Sequence, residues 1–149
     1  MLYHAQSHIT IAAAPGQVMD VIADFPAYPE WAGGIIRAEV VDPGHGRAEQ
    51  VRLHIDAGTV TDVQVLSYRW DGDYAVTWLL DSSRMLRSLH GSYVLTPASG
   101  GGTEVTYILR LALKVPLLGA LHRRAEQVII DRALTGLQRR VNHLLRSTR

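Results

Sequence analysis

Between Ile35 and Val115 the chain repeats one pattern six times: an alternating apolar stretch, then a turn signal. The stretches are Ile35–Val41, Glu49–Ile55, Val60–Trp70, Tyr74–Leu80, Arg84–Thr96 and Thr103–Val115. In three of them Val51, Leu53 and Ile55, then Tyr74, Val76 and Trp78, then Val105, Tyr107, Leu109, Leu111 and Leu113 share a face, as in half-buried strands. The breaks are DPGHG, DAGT, Asp71-Gly72, DSS at 81–83 and SGGG. Connections this short join antiparallel neighbours, and Asp-Gly predicts a two-residue hairpin. Gly91, inside the fifth stretch, predicts a bulge or a sharp bend. Strands of ten or more residues twist and curl, so the sheet has one concave face. The only element long enough to cover it is the helical pattern over Leu117–Arg146. A sheet wrapped around a helix leaves a space of the kind that holds ligands.

Before this meander comes another strand pattern, Tyr3–Ile11, with Ala5, Ser7, Ile9 and Ile11 on one side and His4, Gln6, His8 and Thr10 on the other. AAAPGQVMDVIADF follows as a helix of about two turns. Pro15 suits its first turn, and Val18, Val21 and Ile22 form its apolar stripe. ADFPAYPEW then carries two prolines and three rings, including the chain's one Phe. The prolines place breaks around Phe25 and Ala27. A second short helix or turn over 27–32 follows, ended by Gly33 and Gly34.

Composition narrows the class. At 149 residues the chain makes one domain, residues 1–149. Its 47% apolar and 19% charged residues describe a folded chain. A net charge of +1 gives no whole-molecule case for a nucleic-acid partner. With no cysteine, disulfides, thiolate nucleophiles and Cys-ligated zinc are excluded. MLYHAQSHITI lacks the basic start and apolar run of a signal peptide, and no stretch approaches the ~18 apolar residues of a membrane span. A cytoplasmic domain is expected.

Three pieces carry a resemblance: ITIAAAPGQVMDVIADFPAYPEW near the start, HGSYVLTP with GGTEVTYIL in the last strands, and PLLG before the final helix. With the element order they resemble the START-like helix-grip superfamily (SRPBCC), in particular its bacterial polyketide cyclase/dehydrase-type branch. The resemblance spans essentially the whole chain. It implies an α+β fold in which a curved antiparallel seven-stranded sheet wraps a long C-terminal helix, with two short helices between strands 1 and 2. It also implies a hydrophobic small molecule held between sheet and helix. The short helices would support one end of the sheet, with Phe25, Tyr28 and Trp31 filling that corner beside the cavity mouth. In that arrangement the residues expected at the ligand are Trp31, Tyr68, Trp78, Met85, Leu89, Tyr107, Ile130, Leu134 and Leu137.

No nucleophile elbow, triad or paired-carboxylate spacing is present. For proton transfer or enolate binding the available polar groups are Arg87, His90 and Tyr107, with Tyr93 and His54 behind them. Arg87 shares a strand face with Leu89, Gly91 and Tyr93, and His90 lies on the opposite face. An inward Arg87 needs an anion, because an unpaired buried charge is costly. His4 and His8 lie about 13 Å apart along a strand, too far to share a metal. His122 and Glu126 are a lone i, i+4 pair. No metal or cofactor is expected.

The long helix has two apolar series. Leu118, Leu121, Ala125, Val128 and Ile129 share one face. Ile130, Leu134, Leu137, Val141 and Leu144 share another, about half a turn away. Either the helix kinks near Val128–Ile130, or its first half packs elsewhere, over the cavity entrance or in a dimer. Monomer and homodimer both stay open. The second half is expected to grip the sheet. Residues 117–149 carry seven arginines against Glu126 and Asp131, a local charge of 7 − 2 = +5. Arg132, Arg139 and Arg146 line one stripe, read as a solvated face or as a transient contact with an anionic membrane surface. No aromatics interleave with them, so no specific nucleic acid is expected. The sequence therefore favours a carrier or binding protein for a lipid, isoprenoid or aromatic polyketide. The alternatives are an aromatase/cyclase using the same cavity, and an interaction protein working through the basic helix.

Overall fold

A computed structural model of the protein describes residues 2–56, 58, 61–114 and 121–147, the side chains of 121–126 excepted. Strand β1 (Leu2–Ile11) leads into α1 (Pro15–Ala23), a 3-10 turn (Phe25–Ala27) and α2 (Tyr28–Trp31). Then come β2 (Ile35–Asp42), β3 (Gln50–Asp56), β4 (Thr61–Asp71), β5 (Ala75–Ser82), β6 (Leu86–Pro97), β7 (Thr103–Leu113) and α3 (Leu121–Ser147). The strands form one antiparallel sheet in the order β1-β7-β6-β5-β4-β3-β2. The meander is as expected, and β1 returns to pair with β7 along its whole length, from Leu2↔Ala112 to Ile11↔Thr103. This is the curved α+β helix-grip architecture.

Local chemistry explains the short helices. The Gln17 side-chain oxygen accepts the Ala14 N–H at 2.9 Å, capping an end that Pro15 begins. Val18, Met19, Val21 and Ile22 are buried beneath α1. The Tyr28 hydroxyl donates back to the Ile22 carbonyl at 2.5 Å, tying α2 to α1 across the proline-rich turn. Gly34, at φ +85°, then turns the chain into β2.

Two turns and one strand interior differ from expectation. The loop at Asp71-Gly72 is three residues long, because Asp71 pairs with Ala75. Gly72 takes φ +54°, and Tyr74 leaves the sheet and is exposed rather than sharing the Trp78 face. Strand β5 runs on to Ser82, so the turn falls at 83–85. There the Ser83 hydroxyl accepts the N–H groups of Met85 and Leu86. The irregularity in β6 lies between Leu86 and Ser88, and Gly91 stays in register opposite Trp78 and Leu109. Gly91 serves another purpose: a Cβ there would run into the Trp78 ring, which rests on the bare backbone.

Helix α3 is continuous from Leu121 to Ser147, with no break at Val128–Ile130. Ile130, Leu134, Leu137 and Val141 are buried against β1, β7 and α1, so the second half does grip the sheet. Leu144 is at the rim, and Val128 and Ile129 are exposed. The rest of the first series, Leu118 and the side chains of Leu121 and Ala125, lies outside the described residues. Gly136 lets α2 approach, since a Cβ would stand 3.1 Å from the Trp31 carbonyl oxygen.

Gly91→Ala is expected to destabilise the protein by about 1–3 kcal/mol, because a Cβ there overlaps the Trp78 ring and the ring must shift off the tyrosines it packs against. Trp78→Leu removes the clash, so the double variant should be more stable than the two single losses summed. Denaturant titration of the four proteins measures this. Strict additivity would mean the two positions do not touch.

Candidate functional site

Period two sends Val51, Leu53 and Ile55 of β3 and Leu66, Tyr68 and Trp70 of β4 to the inner face. Val76 and Trp78 of β5, Leu89, Gly91 and Tyr93 of β6 and Val105, Tyr107 and Leu109 of β7 follow them. Antiparallel register then aligns the rings across strands: Tyr68 opposite Trp78, and Tyr93 opposite Tyr107. Trp78 is the centre. Its ring lies 5.6 Å from Tyr68, 5.4 Å from Tyr93 and 5.7 Å from Tyr107, centroid to centroid. Tyr93 and Tyr107 meet edge to face at 4.7 Å.

The helix corner continues the cluster. Phe25, fully buried, touches Tyr68 at 4.8 Å, Trp70 at 6.2 Å and Tyr28 at 5.0 Å. Tyr28 meets Trp31 at 5.0 Å. The three rings of ADFPAYPEW thus join those on the sheet through Phe25. Trp31 is half-buried, and its indole N–H, itself buried, has no hydrogen-bond partner.

The polar ends of these rings differ. Trp70 donates to the Ala48 carbonyl at 2.7 Å, and Tyr28 is satisfied by Ile22. Among the described residues nothing pairs with the hydroxyls of Tyr68, Tyr93 or Tyr107. Burial pushes all three phenols well above their usual range, and Tyr107 raises the other two further through its charge. The three hydroxyls are therefore near enough to sense one another, and all are neutral donors at physiological pH.

Asp62 and Gln64 also face inward, opposite Ile55 and Leu53. Burial works to raise the Asp62 carboxyl. Hydrogen bonds from Ser83, the Arg84 N–H, Gln64 and the Val63 N–H outweigh it and hold the group below the usual carboxylate range. Neither residue was among the sequence candidates. The signal was present, since 62, 64, 66, 68 and 70 alternate in step with Tyr68 and Trp70.

The other candidates divide clearly. Leu89 and Tyr107 join Tyr68 and Trp78 on the inner face, and Ile130, Leu134 and Leu137 face them from α3. Met85 is half-buried in the β5–β6 turn. Arg87 is exposed beside the β6 irregularity, which breaks the alternation that grouped it with Leu89, and His90 is on the outer face. His54 is on the outer face as well, 2.7 Å from Glu39. Among the described residues no Lys, Arg or His occupies an inner-face strand position. The side chains of His122 and Glu126 lie outside the described residues.

Two grooves mark the surface. One, of about 840 Å³, runs beside the β2–β3 hairpin and reaches the ring cluster only at Tyr68 and Trp70. The other, of about 350 Å³, lies between α1 and α3 beside Trp31, Val141 and Leu144. At the hairpin, Arg47 stacks on Trp70, its guanidinium carbon 5.4 Å from the ring centroid. It also reaches Asp20 at 3.0 Å, Asp73 at 2.8 Å and the Gly72 carbonyl at 2.7 Å. No helix among the described residues is long and apolar enough to cross a membrane.

Comparison with solved structures supports this fold. A START superfamily protein from Mycobacterium smegmatis superposes with a TM-score of 0.86 at 18% identity, over 95% of this chain and 98% of that one. The protein TTHA0849 from Thermus thermophilus gives 0.82 at 22% identity, over 95% and 99%. The Zhui aromatase/cyclase from Streptomyces sp. R1128 gives 0.78 at 14% identity, over 99% and 98%. At these identities the likeness is one of fold alone. No curated protein sequence matches the chain. The family model described as "Polyketide cyclase / dehydrase and lipid transport" matches residues 3–143, and the chain belongs to that family.

Proposed function

We propose that the protein binds a hydrophobic small molecule between the inner face of its sheet and α3, as a carrier or binding protein. The observation that carries this reading is the trio of unpaired hydroxyls around Trp78. Among the described residues only the Trp31 indole nitrogen is an enclosed polar atom without a partner, so three phenol oxygens that pair with nothing border accessible space on one wall. The lining is otherwise apolar and aromatic, so burial of ligand surface at about 25 cal/mol per Å² drives binding. Trp31, Tyr68, Trp78, Met85, Leu89, Tyr107, Ile130, Leu134 and Leu137 are the proposed contacts. The family's description, which includes lipid transport, agrees. Arg132, Arg139 and Arg146 are exposed, and in this reading they would meet an anionic membrane surface from which a lipid is drawn.

A second reading, as an aromatase/cyclase, draws on the fold shared with the Zhui enzyme. It needs a group that moves protons within the cavity. Arg87 is exposed and His90 lies on the outer face, so neither fills that role. Tyr107 and its neighbours hold their protons tightly and would serve instead as hydrogen-bond donors that polarise a ligand carbonyl.

Native mass spectrometry of the purified chain, with organic extraction, tests the binding reading. A retained lipid, isoprenoid or polyketide is expected. An empty chain that also takes up no hydrophobic probe would overturn it. A pH prediction follows from the phenols. Released into the unfolded chain, Tyr28, Tyr68, Tyr93 and Tyr107 ionise near 10.0, and in the fold they ionise higher. Their contribution is complete below about pH 10 and is lost as pH rises from there toward the folded values. Urea midpoints should drop steeply above about pH 10, and Tyr93→Phe with Tyr107→Phe should make the drop shallower.

A further inference from the structure

Resting on the binding reading above, we infer that the inner wall around Trp78 selects an uncharged ligand with hydrogen-bond-accepting oxygen on or beside a ring, and rejects the carboxylate of a fatty or aromatic acid. Three observations meet here. Tyr68, Tyr93 and Tyr107 surround one indole, and each has a hydroxyl with no partner among the described residues. All three are donors, and an ether, ester or ketone oxygen accepts from them without a change of charge. The described inner wall carries no Lys, Arg or His to neutralise an anion. Its one charged side chain, Asp62, is itself an anion saturated by four donors.

The energetics separate the ligand classes. A carboxylate entering this wall leaves water for phenol donors and, among the described inner-face strand positions, no cation, and an unpaired buried charge is costly. A plain hydrocarbon leaves the three hydroxyls as they are. A ketone satisfies one or more of them, at a net gain typical of a buried hydrogen bond, roughly fivefold in affinity for each. The ring preference comes from Trp78, whose indole rests on the bare backbone of Gly91 and is ringed by the tyrosines. With no cysteine in the chain, carbonyl ligands meet no thiol and their binding is reversible in this respect.

Three probes of nearly equal shape test this: 2-acetonaphthone, 2-isopropylnaphthalene and 2-naphthoate, titrated against the full chain by tryptophan fluorescence. The ketone should bind about fivefold or more tighter than the hydrocarbon. The carboxylate at neutral pH should bind at least about tenfold weaker than the ketone, and should recover as pH falls toward the acid's own pKa. In Tyr68→Phe, Tyr93→Phe and Tyr107→Phe, the ketone should lose its advantage while the hydrocarbon binds as before. That second readout separates lost hydrogen bonds from a damaged fold. Equal affinity for ketone and hydrocarbon, or carboxylate binding as tight as ketone binding, overturns the selectivity and leaves the cavity standing. Failure of all three probes overturns the binding reading, and this inference with it.

Discussion

A single curled sheet has one concave face to bury, and this chain has one long helix with which to do it. The arrangement follows from that constraint. Helix α3 presents a stripe one or two side chains wide, Ile130, Leu134, Leu137 and Val141, and lies along β1 and β7. The stripe covers one flank of the concavity. The middle strands β4, β5 and β6 carry large rings on their inner face. Tyr68, Trp78 and Tyr93, with Tyr107 from β7, lean on one another at 4.7–5.7 Å and build a wall that supports itself. Such a wall keeps its shape with ligand absent, which lowers the ordering cost of binding.

The corner built from ADFPAYPEW shows how sequence punctuation becomes support. Two prolines stop α1 and start α2, and the break swings Phe25 inward until it touches both Tyr68 and Trp70. Arg47 works on the other side of Trp70. It ties the β2–β3 hairpin to α1 through Asp20 and to the β4–β5 turn through Asp73 and Gly72. Both Asp partners are largely exposed, so each ion pair alone contributes little. Their value lies in geometry, because one guanidinium holds three segments around a single indole.

Much of this was readable from residue order. Period-two alternation with short turns gave the meander, and the 4, 3, 4 spacing from Ile130 to Val141 gave the buried face of α3. What failed did so for local reasons. Asp71-Gly72 suggested a two-residue hairpin, yet Asp71 pairs with Ala75 and Tyr74 is lost from the strand. A one-residue irregularity at Leu86–Ser88 uncoupled Arg87 from the inner face that its position implied. Alternation has no memory across such a slip, and no residue type near it announces one. Gly91 suggested a bulge or a bend, yet it stays in register, and its cause sits at Trp78 on the neighbouring strand. Asp62 and Gln64 are polar types that suggest an outer face. Ser83 and the Arg84 amide, brought close by the turn, join Gln64 and the Val63 amide in making Asp62 acceptable inside.

The pairing of β1 with β7 bears on how the molecule is made. Strands β2 to β6 each find a neighbour one hairpin away and can zip together as they leave the ribosome. Strand β1 leaves ahead of them, with Ala5, Ile9 and Ile11 lacking the surface they will cover, and its partner β7 follows all of them. At roughly 5–20 residues per second, the wait is on the order of ten seconds. Through that interval the growing chain exposes two open strand edges and an uncovered apolar face. Strand β1 is thus made well before its edge is protected, and any helper that shields nascent chains has a clear target there.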